Sequence, residues 1–129
     1  MKISEKYIQI IGILGGLAVI LGAFGAHALK DQLSTAQLAA YKTGVLYHFI
    51  HTLLLFGIYI KIEQTGSHIL LKRAFWFVVV GIICFSGSLY LLTTQDLLGI
   101  NLSFLGPITP IGGIFFIIGW VSLIFVKNR

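Results

Sequence analysis

Charged residues are scarce in this sequence. They make up 10% of the 129 residues, whereas soluble domains carry about 25%. Hydrophobic residues make up 57%, and the mean hydropathy is +0.98. This composition excludes an ordinary soluble domain and predicts that the chain folds in lipid.

Cysteines and membrane-embedded acids are also nearly absent. Cys84 is the single cysteine, so the chain cannot form an internal disulfide, and its apolar surroundings predict a packing role. The acidic residues lie outside the long apolar runs, which argues against proton-coupled transport; they are Glu5, Asp31, Glu63 and Asp96. No G-x-S-x-G, P-loop, H-E-x-x-H or Rossmann pattern occurs, so no catalytic residue is predicted and an enzymatic role is disfavoured.

Four long apolar runs are present, at about 7–29, 44–62, 74–94 and 108–126. A helix of about 20 residues crosses about 30 Å of hydrocarbon, and each run is close to that length. Backbone polar groups in lipid have to be satisfied within the span itself, which favours helices. The sequence therefore predicts one integral membrane domain over residues 1–129: an all-α, polytopic, four-transmembrane-helix bundle.

Basic residues lie at the edges of these runs and are shared unevenly between the two sides of the membrane. One side, with the termini and the middle loop, holds Lys2, Lys6, Lys61, Lys72, Arg73, Lys127 and Arg129. The other side holds only Lys30 and Lys42. The positive-inside rule predicts that both termini are cytoplasmic. The same placement explains the net charge of +5 without a nucleic-acid partner.

Two helix starts are predicted from capping residues. Ser34 followed by Gln37 forms a capping box, so a helix begins near Thr35 and continues without a break into the second span. Thr109-Pro110 predicts an N-cap followed by an N1 proline at the start of the last helix.

The second span carries two histidines, His48 and His51, one helical turn apart. At 100° per residue they share a stripe with Gly44, whereas bulky apolar side chains such as Phe49 and Phe56 take the opposite side. Ionisable groups within spans nearly always face the protein interior. Both histidines are therefore predicted to face the other helices.

Small residues recur on helical faces in two other spans. They are Gly12, Gly16, Ala18, Gly22, Ala23 and Ala26 in the first span and Gly112 and Gly119 in the fourth. Such rows let helix backbones approach closely in lipid. Because they exceed what one bundle requires, a homo-oligomer or a membrane-complex partner is expected in addition to the lipid bilayer.

Polar side chains gather toward the outer ends of the spans. His27 lies near the outer end of the first span, and His48 and His51 lie within about two turns of the predicted outer start of the second. The other members of this predicted polar cluster are Thr52, Ser86, Ser88, Tyr90 and Thr93. The cluster is the one candidate site that the sequence indicates.

Two interpretations of the cluster involve no metal. The histidines can hold helices together through bonds to Thr52, Ser86 or Tyr90, as expected for a structural or assembly module, and this is the interpretation that we favour. Alternatively, the cluster forms a lateral pocket for a lipid or quinone, with Tyr41 and Tyr47 supplying hydrogen bonds.

A third interpretation is a metal or haem site. His48 and His51 project from one face, and His27 can complete a set of three imidazoles. Neutral imidazole is a ligand of zinc, copper, nickel and haem iron. No cysteine, carboxylate or methionine accompanies the histidines at the same depth, so no particular metal is predicted.

Several sequence blocks resemble one family over nearly the whole chain: GAFGAHAL (22–29), YKTGVLYHFIH (41–51), FSGSLY (85–90), TPIGG (109–113) and the later Gly119-Trp120. This is the uncharacterised family of small membrane proteins that includes bacterial YgdD and YwdK and eukaryotic transmembrane protein 256. The resemblance implies a four-helix, multi-pass protein of the bacterial plasma (inner) membrane. It implies no activity, cofactor or catalytic residue.

Overall fold

The computed structural model describes residues 3–66 and 68–127, and regular structure in that part of the chain is entirely helical. Its α-helices are α1 (Ile3–His27), α2 (Thr35–Thr65), α3 (Ile69–Gly81), α4 (Ser88–Leu98) and α5 (Ile108–Ile124). A π-helical segment, Ile82–Gly87, joins α3 to α4, and a 3-10 turn, Ser103–Leu105, precedes α5.

Four stretches of the described chain are long and apolar enough to cross a membrane. They are Ser4–His27, Thr35–Thr65, Ile69–Leu98 and Ser103–Ile124. The third consists of α3, the π segment and α4, which together form one span. The prediction of an all-α protein with four membrane-spanning helices is confirmed, and each predicted apolar run falls largely within one of these stretches.

The predicted start of α2 is confirmed in detail. The backbone N–H of Gln37 donates to Ser34 Oγ at 3.1 Å, and the backbone N–H of Ser34 donates to Gln37 Oε1 at 2.9 Å. These reciprocal bonds satisfy donors that an uncapped helix would leave open. The helix then runs unbroken for 31 residues.

The predicted cap of α5 is wrong. The helix begins at Ile108 with Pro107 before it, and no side chain caps its first turn. Pro107 is at the N-cap position, and Pro110, predicted as N1, is the third residue of the helix. Neither proline has a backbone N–H, and the first N–H groups of a helix have no partner within it. Thr109 therefore lies within the helix, where its hydroxyl contacts another span.

The helices pack around α2. One face of α2 packs along α1, and other faces contact α3, the π segment and α4. α5 packs along α3 and the π segment and reaches α2 through side chains. The prediction that the bulky apolar side of α2 faces away from the other helices is confirmed, because its large apolar side chains are exposed there: Phe49, Leu53, Phe56 and Ile60.

The two ends of the bundle differ in composition. We call the end with the α1–α2 and α4–α5 connections the connection end, and the opposite end, where α1 begins and α5 stops, the terminus end. An apolar core fills the terminus half. Its most deeply buried members are Leu55, Leu71, Ala74, Phe75 and Val78. Lys2 and Arg129, which entered the orientation prediction, lie outside the described residues.

The small-residue rows are used unequally. A methyl group added at Gly112 would collide with the backbone of Cys84 and Phe85, so α5 meets the π segment at a distance that only glycine allows. In α1, Ala18 is buried and Gly22 faces Val45 of α2. A methyl group at Gly12 or Gly16 would meet open space instead, so these two glycines are not needed for the contact with α2.

Candidate functional site

His48 joins α2 to two neighbouring spans. Its Nε2 lies 2.8 Å from the carbonyl oxygen of Leu14 in α1, and its Nδ1 lies 2.9 Å from the hydroxyl of Tyr90 in α4. Because a carbonyl only accepts, Nε2 carries the proton, and Nδ1 of the neutral ring accepts from the tyrosine hydroxyl. The ring is 3% exposed. Both of its nitrogens are therefore occupied inside the bundle.

His51 makes the corresponding connection to α5. Its Nδ1 donates to the carbonyl oxygen of Tyr47 one turn earlier at 2.7 Å. Its Nε2 then accepts from the indole N–H of Trp120 at 3.0 Å. The ring also stacks on Phe116 of α5, with ring centroids 3.6 Å apart. Neutral His51 is fully hydrogen-bonded as well, with one bond within α2 and one across to α5.

Two further side chains bond to backbone carbonyls of another span. The Tyr41 hydroxyl of α2 donates to the carbonyl of Leu21 in α1 at 2.6 Å. The Ser86 hydroxyl donates to the carbonyl of Gly44 in α2 at 2.7 Å. Gly44 is buried, and a methyl group there would lie 3.3 Å from side-chain atoms of Leu89 and Tyr90, so the missing side chain lets α4 come this close. Main-chain carbonyls thus serve as acceptors between helices.

Ser88 links α4 to α5 at the end of the π segment. Its hydroxyl donates to the carbonyl of Phe85 at 2.9 Å, and its oxygen lies 2.6 Å from Thr109 Oγ1. A serine has a single hydroxyl proton, so Thr109 donates in the second bond. The Phe85 carbonyl also accepts from the backbone N–H of Ser88, so both donors of this serine end on the last turn of the π segment.

Two members of the predicted cluster bond only within their own helix. Thr52 donates to the carbonyl of His48 at 2.7 Å, and Thr93 donates to the carbonyl of Leu89 at 2.7 Å. Of the three side chains predicted as partners of the histidines, Tyr90 alone bonds to a ring nitrogen. Ser86 takes the Gly44 carbonyl instead.

The structure does not bring the three histidines into a ligand set. His27 is exposed at the last residue of α1, whereas His48 and His51 are buried in the middle of α2. No group of three His, Cys, Asp or Glu side chains in residues 3–66 and 68–127 is arranged to hold a metal ion. In both buried rings the nitrogen lone pair that a metal requires already accepts a hydrogen bond.

The donors named for a lateral lipid or quinone pocket are mostly engaged. The hydroxyls of Tyr41 and Tyr90 and both nitrogens of His48 take part in the bonds above. A cavity of about 320 Å³ does open beside Tyr41, between α1 and α2, but its lining is almost wholly apolar. The geometry therefore favours helix pairing over ligand capture at this cluster.

Three parts of the network were missed from the sequence. The sequence indicates Trp120 only through the Gly119-Trp120 block of the family resemblance and Thr109 only as a helix cap, and the backbone carbonyl of Leu14 carries no sequence signal. The network also reaches deeper than expected. His48 bonds to Leu14, near the middle of α1, and His51 bonds to Trp120 well along α5.

The four spans and the buried polar network define a multi-pass membrane protein whose helices are joined by hydrogen bonds. Comparison with known proteins identifies the group to which it belongs. The family described as "Protein of unknown function (DUF423)" matches residues 21–113, and the chain belongs to this family, as the resemblance of its sequence blocks predicted.

Relatives cover nearly the full length. The chain is 39% identical to the UPF0382 membrane protein YwdK of Bacillus subtilis over 120 residues, which span 92% of this chain and 94% of YwdK. It is 30% identical to the UPF0382 inner membrane protein YgdD of Escherichia coli over 122 residues, 94% of this chain and 88% of YgdD. No solved structure matches. The predicted localisation, a multi-pass protein of a bacterial inner membrane, is confirmed.

Proposed function

We propose that this protein is a structural or assembly module of the membrane, and that its histidines hold the bundle together. One observation carries the proposal. All four ring nitrogens of His48 and His51 are occupied by protein hydrogen bonds, three of which lead to another span. A ligand site needs donors or lone pairs that remain open, and these rings offer none.

The energetics agree with this role. Lipid is as apolar as leucine, so helices in a membrane gain little from burying hydrophobic surface against each other. Interhelical hydrogen bonds contribute about 0.6–2 kcal/mol each, and removing one partner leaves a buried polar group without a bond. The network joins α1, α4 and α5 to α2 and so specifies which helices pair.

The arrangement in the membrane is part of the proposal. Residues 1–129 form one membrane domain. Both termini lie in the cytoplasm, because the described basic residues at the terminus end outnumber those at the connection end. A reporter that fluoresces only in the cytoplasm, fused after Arg129, is expected to be fluorescent. A fusion placed in the α1–α2 connection, residues 28–34, should not fluoresce. The reverse pattern would overturn this orientation.

The structural role is tested with histidine variants. His48→Ala and His51→Ala should each lower the thermal unfolding midpoint in mild detergent, because each removes bonds between spans. His27→Ala is the matched control, since it removes the same side chain from an exposed position. The unfolding midpoint is measured together with an optical spectrum and elemental analysis of protein purified without chelator.

The outcomes separate the interpretations. Lower midpoints for both buried variants, with an unchanged His27→Ala protein and no metal or haem absorption, support the structural role. About one metal or haem per chain, lost in His48→Ala, would replace it with the ligand hypothesis. Unchanged midpoints for the buried variants would refute helix pairing by the histidines.

A further inference from the structure

An open cavity of about 700 Å³ lies between α3 and α5 at the terminus end. We call it the α3–α5 groove. Ligand sites in proteins occupy about 300–1,000 Å³, so the groove is large enough for one. It lies on the opposite end of the bundle from the cavity beside Tyr41. None of the hydrogen bonds of the histidine network lies in its lining.

The lining of the α3–α5 groove changes along its length. Lys72 and Arg73 line it within the first turns of α3, beside the apolar Ile69 and Leu70. Farther along α3 the lining is apolar, with Phe77 and Val80 facing Phe115 of α5. The ring centroids of Phe77 and Phe115 lie 5.9 Å apart with an interplanar angle of 27°, so the two rings connect the helices. The groove is thus basic at its mouth and apolar toward its deeper end.

The length of the α3–α5 groove fits one leaflet. From Arg73 inward, its lining on α3 extends to Val80, and seven residue steps at about 1.5 Å each give about 10 Å. That is less than half of the ~30 Å hydrocarbon core of a bilayer. An acyl chain lying along the groove would therefore remain within the leaflet whose headgroups are level with Arg73.

The surroundings of the mouth favour a negative charge. At the terminus end the described residues include five basic side chains and two acidic ones: Lys6, Lys61, Lys72, Arg73 and Lys127 against Glu5 and Glu63. The positive end of the α3 dipole lies at the same place, and no side chain caps that helix. Arginine binds phosphate through two parallel hydrogen bonds, and Trp76, 42% exposed, is a residue typical of the headgroup level.

We propose that the α3–α5 groove binds one anionic glycerophospholipid. Its phosphate lies at Arg73, and one acyl chain lies along Phe77, Val80 and Phe115. An apolar groove alone would accept any acyl chain or a partner helix. The basic mouth, placed at headgroup level with the apolar part of the groove extending inward from it, selects a lipid with a negative headgroup.

The test measures lipid selectivity of the purified full-length protein by native mass spectrometry. The probes are dioleoyl phosphatidylglycerol and dioleoyl phosphatidylcholine, offered in equal amounts, so that only the headgroup differs. The wild-type protein should retain one phosphatidylglycerol in preference to phosphatidylcholine. Each basic residue near a membrane surface contributes about 1 kcal/mol toward an anionic lipid, so Arg73→Gln should reduce the preference about fivefold.

Lys127→Gln is the matched control, because it removes one exposed charge at the same end from a residue outside the groove. It should leave the preference unchanged. Val80→Trp keeps every charge and fills the apolar part, and it should abolish the retained lipid. Gel filtration and helical circular dichroism confirm that each variant is folded.

Two results would overturn the proposal. Equal retention of the two lipids by the wild-type protein would show that the basic mouth does not select a headgroup. Equal losses in Arg73→Gln and Lys127→Gln would show that general surface charge, and not the groove, attracts the lipid. The Arg73→Gln comparison decides the matter even if Val80→Trp does not fold.

Discussion

The two halves of this bundle are held together by different means. In the connection half and the middle, interhelical contacts include hydrogen bonds from His48, Tyr41 and Ser86 to backbone carbonyls or to a tyrosine hydroxyl. In the terminus half the buried side chains are almost entirely apolar and centre on Phe75 and Val78. The same four spans thus change from polar to apolar packing along their length.

This difference shows how helix pairing is specified in lipid. Lipid chains are as apolar as the side chains, so apolar helix faces gain mainly van der Waals contacts when they pair. Any arrangement that fills space provides such contacts. A hydrogen bond to one carbonyl is satisfied in one register only. We therefore expect the terminus half to supply packing energy and the connection half to determine which faces meet.

The largest effect is expected from Phe75→Ala, which empties the fully buried centre of the apolar half. The substitution should lower the free energy of unfolding by about 2–3 kcal/mol. This is the share of the cost of a large-to-small substitution that comes from the cavity left behind. Denaturation in mixed detergent micelles measures it. Phe56→Ala, on the lipid-facing side of α2, is the control and should change little. Equal costs for both would mean that the apolar half is not tightly packed.

Gly112→Ala should have the next largest effect, because the added methyl group collides with the backbone of Cys84 and Phe85. Overpacking of this kind costs about 1–3 kcal/mol. In Gly113→Ala the methyl group would meet the Phe85 ring at 3.9 Å, an ordinary contact, so that variant should be as stable as the wild type. The two free energies of unfolding are compared directly, and a tolerated Gly112→Ala would contradict the close approach.

A double-mutant cycle of His48→Ala and Tyr90→Phe isolates one bond of the polar half. The coupling free energy should be about 0.6–1.7 kcal/mol, the range for hydrogen bonds between membrane helices. Pairing His48→Ala with Tyr59→Phe, whose ring lies beside Phe56 on the same helix, should give no coupling. A cycle without coupling between His48 and Tyr90 would remove that bond from the network.

The smallest effects compare bonds between helices with bonds inside one helix. Ser86→Ala removes the bond to the Gly44 carbonyl of α2 and should cost about 0.6 kcal/mol or somewhat more. Thr93→Val removes a bond to the carbonyl of Leu89 in the same helix and should cost less. Unfolding free energies measured side by side test the order. A larger cost for Thr93→Val would reverse the assignment of roles.

Much of the fold was predictable from local patterns. The apolar runs gave the four spans, the Ser34–Gln37 box gave the start of α2, and the 100° period placed His48 and His51 on the inward face. These features depend on residues close together in the chain. The prediction of an N-cap at Thr109 was wrong because the same sequence pattern occurs whether the threonine hydroxyl caps its own helix or bonds to a neighbouring helix.

The sequence alone determined that the chain crosses the membrane as four helices and which face of α2 is polar. Hydrophobicity and helical periodicity act along one helix and need no neighbour. Tertiary structure alone decided that His48 bonds to the Leu14 carbonyl, that His51 meets Trp120, and that the third span widens into a π segment beside Gly112. Those choices depend on the depth and rotation of one helix against another, and backbone carbonyls, which are identical at every residue, leave no mark in the sequence.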